Sequence, residues 1–354
     1  MPIYSPEPLE SHELFEGFYV QYPEQSHART LFKENLSLDF LVKQVQFVSP
    51  ELARAIVLPH NFLRLDDVAR EYIKRYADLG ERLAIPVILF SLGDHSDSLQ
   101  FDPRVKVVRL SVYRSHIQSN DVVMPTLTED LGAQHFALRV KQEVPIVSFC
   151  GRAAFNSIRE RVASWLRRLK YESLGILKPN ERARIRGIFW RQWMMRACSN
   201  STLVKTLFIV RNTFSGALRT IEVSPQIARE DFIQSIKESD FVLAPKGDGN
   251  HSNRFLEALS MGRIPVVVDT DMVLPFEQHI DYTKIMVRVP MDKVDETPRY
   301  ISEFYKALGE EEWRERQELA RQVFVEYLTV DAFFSHFFDT VEICVASPGQ
   351  PRKV

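Results

Sequence analysis

Phe241-Val-Leu-Ala-Pro-Lys246-Gly-Asp-Gly-Asn-His251-Ser-Asn-Arg-Phe-Leu-Glu257-Ala-Leu-Ser-Met-Gly262-Arg-Ile-Pro-Val-Val-Val-Asp269 reads as one β-loop-α-β unit. Phe241 to Ala244 is a short apolar strand, and Pro245 to His251 is a glycine-bearing loop. Ser252 to Met261 keeps helical spacing closed by Gly262, and Ile264 to Val268 is the next strand. A glycine loop feeding a helix N-terminus offers backbone N–H groups and the positive end of the helix dipole, which suits phosphate. Gly247-x-Gly249-x-x-Ser252 lacks the third glycine of the dinucleotide fingerprint, and no P-loop consensus occurs. At ~100° per residue, Arg254 and Glu257 lie ~60° apart on one helix face, opposite Phe255, Leu256 and Leu259.

The same alternation extends outward. In the first 140 residues helix-like and strand-like stretches alternate, as in an α/β layer with a parallel sheet. Asp66 to Leu79 has helical apolar spacing, with Asp66 to cap its start and Gly80 to end it. Ile85 to Phe90 is the continuous apolar run of a strand covered on both faces, and it opens into Ser91-Leu-Gly-Asp-His95 at the ligand end of the sheet. Val105 to Leu110 reads as a further strand. A second α/β unit begins near Pro145-Ile-Val-Ser-Phe149 and continues into Cys150-Gly-Arg152. Ser157-Ile-Arg-Glu160 gives a capping box, and Ile158, Val162, Trp165, Leu166 and Leu169 form one apolar face of the helix behind it. Residues 311 to 340 carry a Phe-rich amphipathic pattern expected to lie across both units.

The 354 residues are 45% hydrophobic and 26% charged, the composition of a folded chain of about two domains. Forty-five Lys and Arg against 47 Asp and Glu leave −2, which argues against a strongly basic nucleic-acid binder. The charge is uneven, because residues 151–200 hold twelve cations against three acids. That segment is either a solvated helix face with scattered ion pairs or a surface for phosphates, acidic glycans or anionic lipid headgroups. It has neither an RNP-like aromatic pattern nor zinc-finger spacing, so no nucleic-acid partner is expected. Cys150, Cys198 and Cys344 are widely spaced and form no CxxC pair, which suggests neither a disulfide framework nor zinc and fits a reducing compartment. With no signal-peptide pattern and no apolar run near ~18 residues, the expected location is cytoplasmic, peripheral contact with the inner membrane through 151–200 being compatible.

Two readings of the charged helix face stand side by side. Arg254 and Glu257 form either an ordinary i,i+3 ion pair worth about a few tenths of a kcal/mol or a nucleotide clamp. In the clamp, Arg254 beside Lys246 neutralises a diphosphate, and Glu257 accepts hydrogen bonds from both hydroxyls of a ribose.

Ser239 to Asp269, followed by Leu274-Pro-Phe276, resembles the signature block of exostosin-type glycosyltransferases. Weaker similarity covers Leu58-Pro-His-Asn61, Gly93-Asp94, Met124-Pro with Glu129-Asp130, Gly151-Arg152 and Arg211-Asn-Thr-Phe-Ser-Gly216. The resemblance implies a GT-B fold, two Rossmann-like domains facing across a cleft. It places an acceptor domain at 1–142, a nucleotide-sugar donor domain at 143–325 and a bridging C-terminal helix and tail at 326–354. Carried over residue by residue, it assigns Glu257 to the donor ribose and Arg254 and Lys246 to the diphosphate. Gly247, Gly249, Asn250 and Ser252 belong to the loop that brings amides to that diphosphate, and Arg211 is a second phosphate ligand. A base for the acceptor hydroxyl is expected from the other domain, Asp94 first, with Glu129, His60 and His95 behind it. The implied donor is a UDP-sugar used with inversion and without a cofactor or divalent metal. The implied acceptor is a glycan or lipid-linked glycan in surface polysaccharide assembly. Val242 and Arg263 stand where the family often carries cysteines, so no family disulfide is expected, and a cytoplasmic bacterial or viral branch without a preceding stem or anchor is the expectation.

The sequence is compatible with two other readings. Asp269-Thr-Asp271 has the spacing of a DxD metal site, as in a manganese-dependent GT-A transferase. A nucleotide-sugar or anionic-glycan binding protein without catalysis would need only the clamp.

Overall fold

In a computed structural model, residues 1–25, 39–94, 100–213 and 223–346 are described, with side chains through 340. Strand pairing among them is parallel throughout and builds two separate sheets. The first contains β1 (Pro2–Tyr4), β2 (Gln46–Phe47), β3 (Ala55–Asn61), β4 (Val87–Ser91), β5 (Val105–Arg109) and β6 (Asp121–Val123) in the order β2-β1-β3-β4-β5-β6. α1 (Asp67–Leu83) links β3 to β4, and Asp66 caps it by accepting from the Ala69 N–H at 2.8 Å. Gly80 does not end this helix. It lies inside it, where a Cβ would come 2.5 Å from Val87 Cγ2, so the glycine lets helix and sheet approach, and Ala84 closes the helix in the left-handed region at φ 53°.

After the short α2 (Gly132–His135), the second sheet holds β7 (Ile146–Arg152), β8 (Lys205–Arg211), β9 (Phe241–Leu243), β10 (Ile264–Asp269) and β11 (Val287–Pro290) in the order β11-β10-β9-β7-β8. Its helices are α3 (Ile158–Leu177), α4 (Gly187–Ser199), α5 (Pro225–Lys237), α6 (Asn253–Ser260), α7 (Thr297–Lys306) and α8 (Glu310–Val323). Only half of the expected capping box forms at α3. Ser157 Oγ accepts from the Glu160 N–H, but the Glu160 carboxylate turns to the Asn156 N–H and to Arg152.

Because every strand is parallel, the ligand end of each sheet is the end where its strands finish, and here those two ends meet. The loop after β5 abuts the loop after β10. Tyr113 bridges Met272, the Arg114 N–H donates to Asp271 O at 2.8 Å, and the Arg114 guanidinium grips both Glu277 oxygens at 2.6 and 2.7 Å. This is the α/β GT-B layout, two Rossmann-like domains across a cleft.

The chain crosses between the two cores twice. Leu127 belongs to the first core, whereas Leu131 lies with Ile236, Val242, Ala258 and Met261 in the second domain, and Arg139 already pairs with Asp240 there at 2.9 Å. The return runs through Phe324 and Leu328 of the second core into α9 (Val330–Ala346). The phenylalanines of α9 enter the first core, where Phe334 stacks on Phe40 with centroids 5.6 Å apart and packs against Phe15 and Phe90. The expected bridging helix is thus the strap that closes the N-terminal core.

Arg263 makes a cross-link of its own. Its buried guanidinium donates to the carbonyls of Ala137 (2.9 Å), Met261 (3.0 Å), Lys237 (3.2 Å) and Ile236 (3.3 Å). Ile236 and Lys237 close α5 and Met261 caps the C-terminal end of α6, where the helix dipole favours a cation, and Ala137 lies just past α2. Burial pushes its pKa down to about 10.

Because Phe334 is fully buried, Phe334→Ala is expected to cost about 3–5 kcal/mol through the cavity it leaves. Urea denaturation followed by intrinsic fluorescence measures that loss.

Candidate functional site

β7 ends at Gly151-Arg152, and the backbone there sets the site. Gly151 sits at φ +141°, and a Cβ on it would come 2.8 Å from Arg254 Nη2. That space lets Arg254, in the first turn of α6, reach back over β7. Its Nη2 donates to Cys150 O at 3.0 Å and its guanidinium lies 4.4 Å from the Phe149 ring centroid. Arg191 comes from α4, whose neighbouring Trp190 and Met194 are buried in the core, and donates to Arg152 O at 3.0 Å. Arg152 grips Glu160 through 2.6 and 2.7 Å contacts. Arg186, the N-cap of α4, reaches Ser164 Oγ at 2.7 Å, Glu160 at 3.2 Å and Asp248 at 3.2 Å.

Four guanidiniums therefore crowd beside the Gly247-Asp248 loop. Burial first, then the positive charge of Arg254, Arg152 and Arg186, pushes the Arg191 pKa down to about 10, against the opposing pull of Asp248. Burial also lowers Arg254, with Glu257 acting in the opposite direction. The Nε atoms of both Arg191 and Arg254 are buried and have no hydrogen-bond partner among the described residues. Cations whose pKa falls are under-neutralised, and an anion bearing more than one charge would correct both deficits.

The residues expected from sequence fall into two groups. Arg254 and Glu257 lie on one helix face at this cluster, and Arg211 ends β8 directly beside Arg152, its Nη2 paired with Asp231 at 2.7 Å. Lys246 is placed differently. Its Nζ is buried, donating to Ala183 O at 2.7 Å and Tyr113 OH at 3.1 Å, so it anchors the loop rather than presenting charge to a ligand. Asn250 is also a structural tie. Its N–H donates to Ser111 Oγ at 2.7 Å and its amide exchanges hydrogen bonds with Thr270. The Gly247 N–H is spent on His251 O at 2.8 Å, so the amides of Gly247 and Asn250 are engaged within the protein. Gly249 has another use, since a Cβ there would come 2.9 Å from Asp94 Cα. Ser252 is the N-cap of α6 but makes no side-chain cap bond.

Of the expected bases, Asp94 reaches the cleft. It leaves β4 to face Gly249 and His251, with Oδ1 3.7 Å from His251 Nε2, and 64% of its side chain is exposed. Glu129 is held by Arg229 of α5 at the first crossover. His60 is a correction. It is wholly buried, its Nε2 accepts from the Leu9 N–H at 2.7 Å, its Nδ1 lies 3.4 Å from Glu13 O, and burial pushes its pKa down to about 4. It is a neutral core histidine, with no lone pair to offer an acceptor. His95 lies outside the described residues. The DxD reading also meets an obstacle, because Asp271 accepts from the Ser115 N–H (3.0 Å) and hydroxyl (2.6 Å) while Asp269 faces Arg288 at 3.4 Å. Those carboxylates are engaged in domain contact and an ion pair.

Arg186 and Arg191 were not singled out by motif. The available signal was compositional, an arginine inside the apolar run Phe189-Trp190-Arg191-Gln192-Trp193 within the most basic segment of the chain.

The exostosin GT47 domain profile matches residues 112–304, more than half of the chain. Among curated proteins, the Exostosin-1 homolog of Caenorhabditis elegans is 31% identical over 100 residues, 28% of this chain and 25% of the worm protein. Exostosin-1 of Drosophila melanogaster is 39% identical over 69 residues, 20% of this chain and 9% of the fly protein. The matched region thus spans a quarter or less of these relatives. Among solved structures, a glycosyltransferase from Rickettsia africae ESF-5 aligns over 98% of this chain and 99% of its own, with 12% identity and a TM-score of 0.38.

His60 carries a pH signature. Between pH 6.5 and about 4 the unfolded chain takes up its proton while the folded chain resists. Protons thus favour the unfolded state, and stability falls as pH drops through that window, by up to about 3 kcal/mol from this residue. His60→Gln keeps an acceptor and removes the titration, so urea melts at pH 7 and 4.5 should show a shallower decline than wild type.

Proposed function

The chain belongs to the exostosin GT47 family of glycosyltransferases, and from that premise we propose that it transfers a sugar from a nucleoside diphosphate donor, a UDP-sugar, to a hydroxyl of a glycan or lipid-linked glycan. The observation that carries this reading is the crowd of Arg152, Arg186, Arg191 and Arg254 beside the glycine loop, with Glu257 one turn along α6. Glu257 is suited to a donor ribose and the guanidiniums to its diphosphate. Asp94, exposed across the cleft, takes the proton of the acceptor hydroxyl. The acceptor oxygen then bonds to the anomeric carbon as the bond to the diphosphate oxygen breaks, and the electron pair leaves on the diphosphate, where Arg191 and Arg254 stabilise it. Attack opposite the leaving group inverts the anomeric centre. The clustered guanidiniums supply the positive charge a divalent ion would otherwise bring, so the proposal includes turnover without metal. Surface polysaccharide assembly is the setting that fits such an acceptor.

Transfer from a panel of UDP-sugars in EDTA tests this. Asp94→Asn is expected to lower kcat about 10²-fold or more with folding retained, and Arg254→Ala or Glu257→Ala to lower kcat/KM about 10²-fold. A folded Asp94→Asn enzyme with wild-type kcat removes Asp94 from the chemistry. Activity that EDTA abolishes and manganese restores returns the site to Asp269 and Asp271.

A further inference from the structure

The apolar face of α3 does not turn inward. At ~100° per residue, Glu160, Ser164, Arg168, Tyr171 and Gly175 form the line that meets the rest of the chain, and of these only Ser164 is fully buried. Ile158, Val162, Leu166, Leu169, Ile176 and Leu177 project from the opposite side with exposures from 50 to 87%, and Trp165 at the edge of the stripe is 45% exposed. Trp165 rests one side of its ring on Phe189 and Arg168, the six aliphatic side chains keep half or more of their surface exposed, and contiguous apolar surface of this kind marks a docking face.

Charge decides what docks. From Ser157 to Lys178 the helix and its flanks carry six cations and two carboxylates. Both carboxylates are already engaged, Glu160 with Arg152 and Arg186, and Glu172 with Arg168. Arg159 and Lys170 line one shoulder of the apolar stripe and Arg161 the other, all three exposed. Pairing this face with a second copy would set +4 against +4, whereas an anionic bilayer satisfies both halves of the pattern. No helix among the described residues is long and apolar enough to cross a membrane.

We propose that α3 lies flat in the interface of an anionic lipid bilayer. Its apolar stripe enters the acyl boundary, and Arg159, Arg161 and Lys170 extend their heads to lipid phosphates. Glu160 ties the first turn of α3 to Arg152 and Arg186, so the cationic cluster is held close to that surface. The docking stands apart from the glycosyl-transfer reading and has its own readout.

The test is flotation of the full chain with phosphatidylcholine vesicles containing about one-third phosphatidylglycerol, and with phosphatidylcholine alone, at ~0.1 M salt. The expected result is at least about tenfold stronger partitioning to the anionic vesicles, weakened by high salt. The double variant Leu166→Glu/Leu169→Glu changes exposed positions and is expected to lose binding about tenfold or more, as is Arg159→Glu/Lys170→Glu. Circular dichroism and thermal melts confirm that both remain folded. Absence of wild-type flotation, or folded variants that float like wild type, overturns the proposal. So does a lipid-free dimer that Leu166→Glu/Leu169→Glu dissociates in sedimentation velocity, which would assign the stripe to a second copy.

Discussion

Guanidiniums drawn out of water beside one another repel, and the protein has arranged four of them at the end of a single strand. Arg191 and Arg254 bear the clearest cost. Their pKa values fall, their Nε atoms lie buried without partners among the described residues, and the nearest carboxylates, Asp248 and Glu257, offset only part of the field. Apolar burial on both sides holds them there. α4 is fixed by Trp190 and Met194, and α6 by Phe255, Leu256 and Leu259. A bound polyanion would relieve the repulsion and so would raise the stability of the second domain.

The loop from Lys246 to His251 serves two masters at once. One flank borders the cationic cluster through Gly247 and Asp248. The other is stitched to the N-terminal domain by Lys246 to Tyr113, by Asn250 to Ser111, and by the close approach of Asp94 to Gly249. A cavity of about 30 Å³ lies between the domains beside this loop. At the opposite end, the two crossovers are fastened by Arg229 on Glu129 and Arg321 on Asp130. The backbone that borders the cationic cluster is thus the same one against which Asp94 packs.

Much of this was legible in the sequence, because it rests on local patterns. The β-loop-α-β unit at 241–269, the apolar strands of both sheets and the Phe-rich strap follow from periodicity, and the signature block placed Arg254 and Glu257 on one helix face. What escaped depends on three-dimensional neighbours. Lys246 looks like a phosphate ligand until Tyr113, 133 residues away in sequence, occupies its ammonium. His60 looks like a base until the Leu9 N–H fills its lone pair. Arg191 hides in a largely apolar run because what it meets, the Arg152 carbonyl of β7 and the Arg254 guanidinium of α6, lies far away in sequence. The spacing in α3 marks an apolar face, yet periodicity alone cannot say whether an apolar face looks toward a core or toward solvent.

Calorimetric titration of UDP into the intact chain in EDTA, beside the same titration of Arg191→Ala, asks whether the crowded arginines form an anion site. Saturable metal-free binding that weakens at least about tenfold in the folded variant is the expected result. Equal affinity in both proteins, or no binding without manganese, would contradict a donor site built from these guanidiniums.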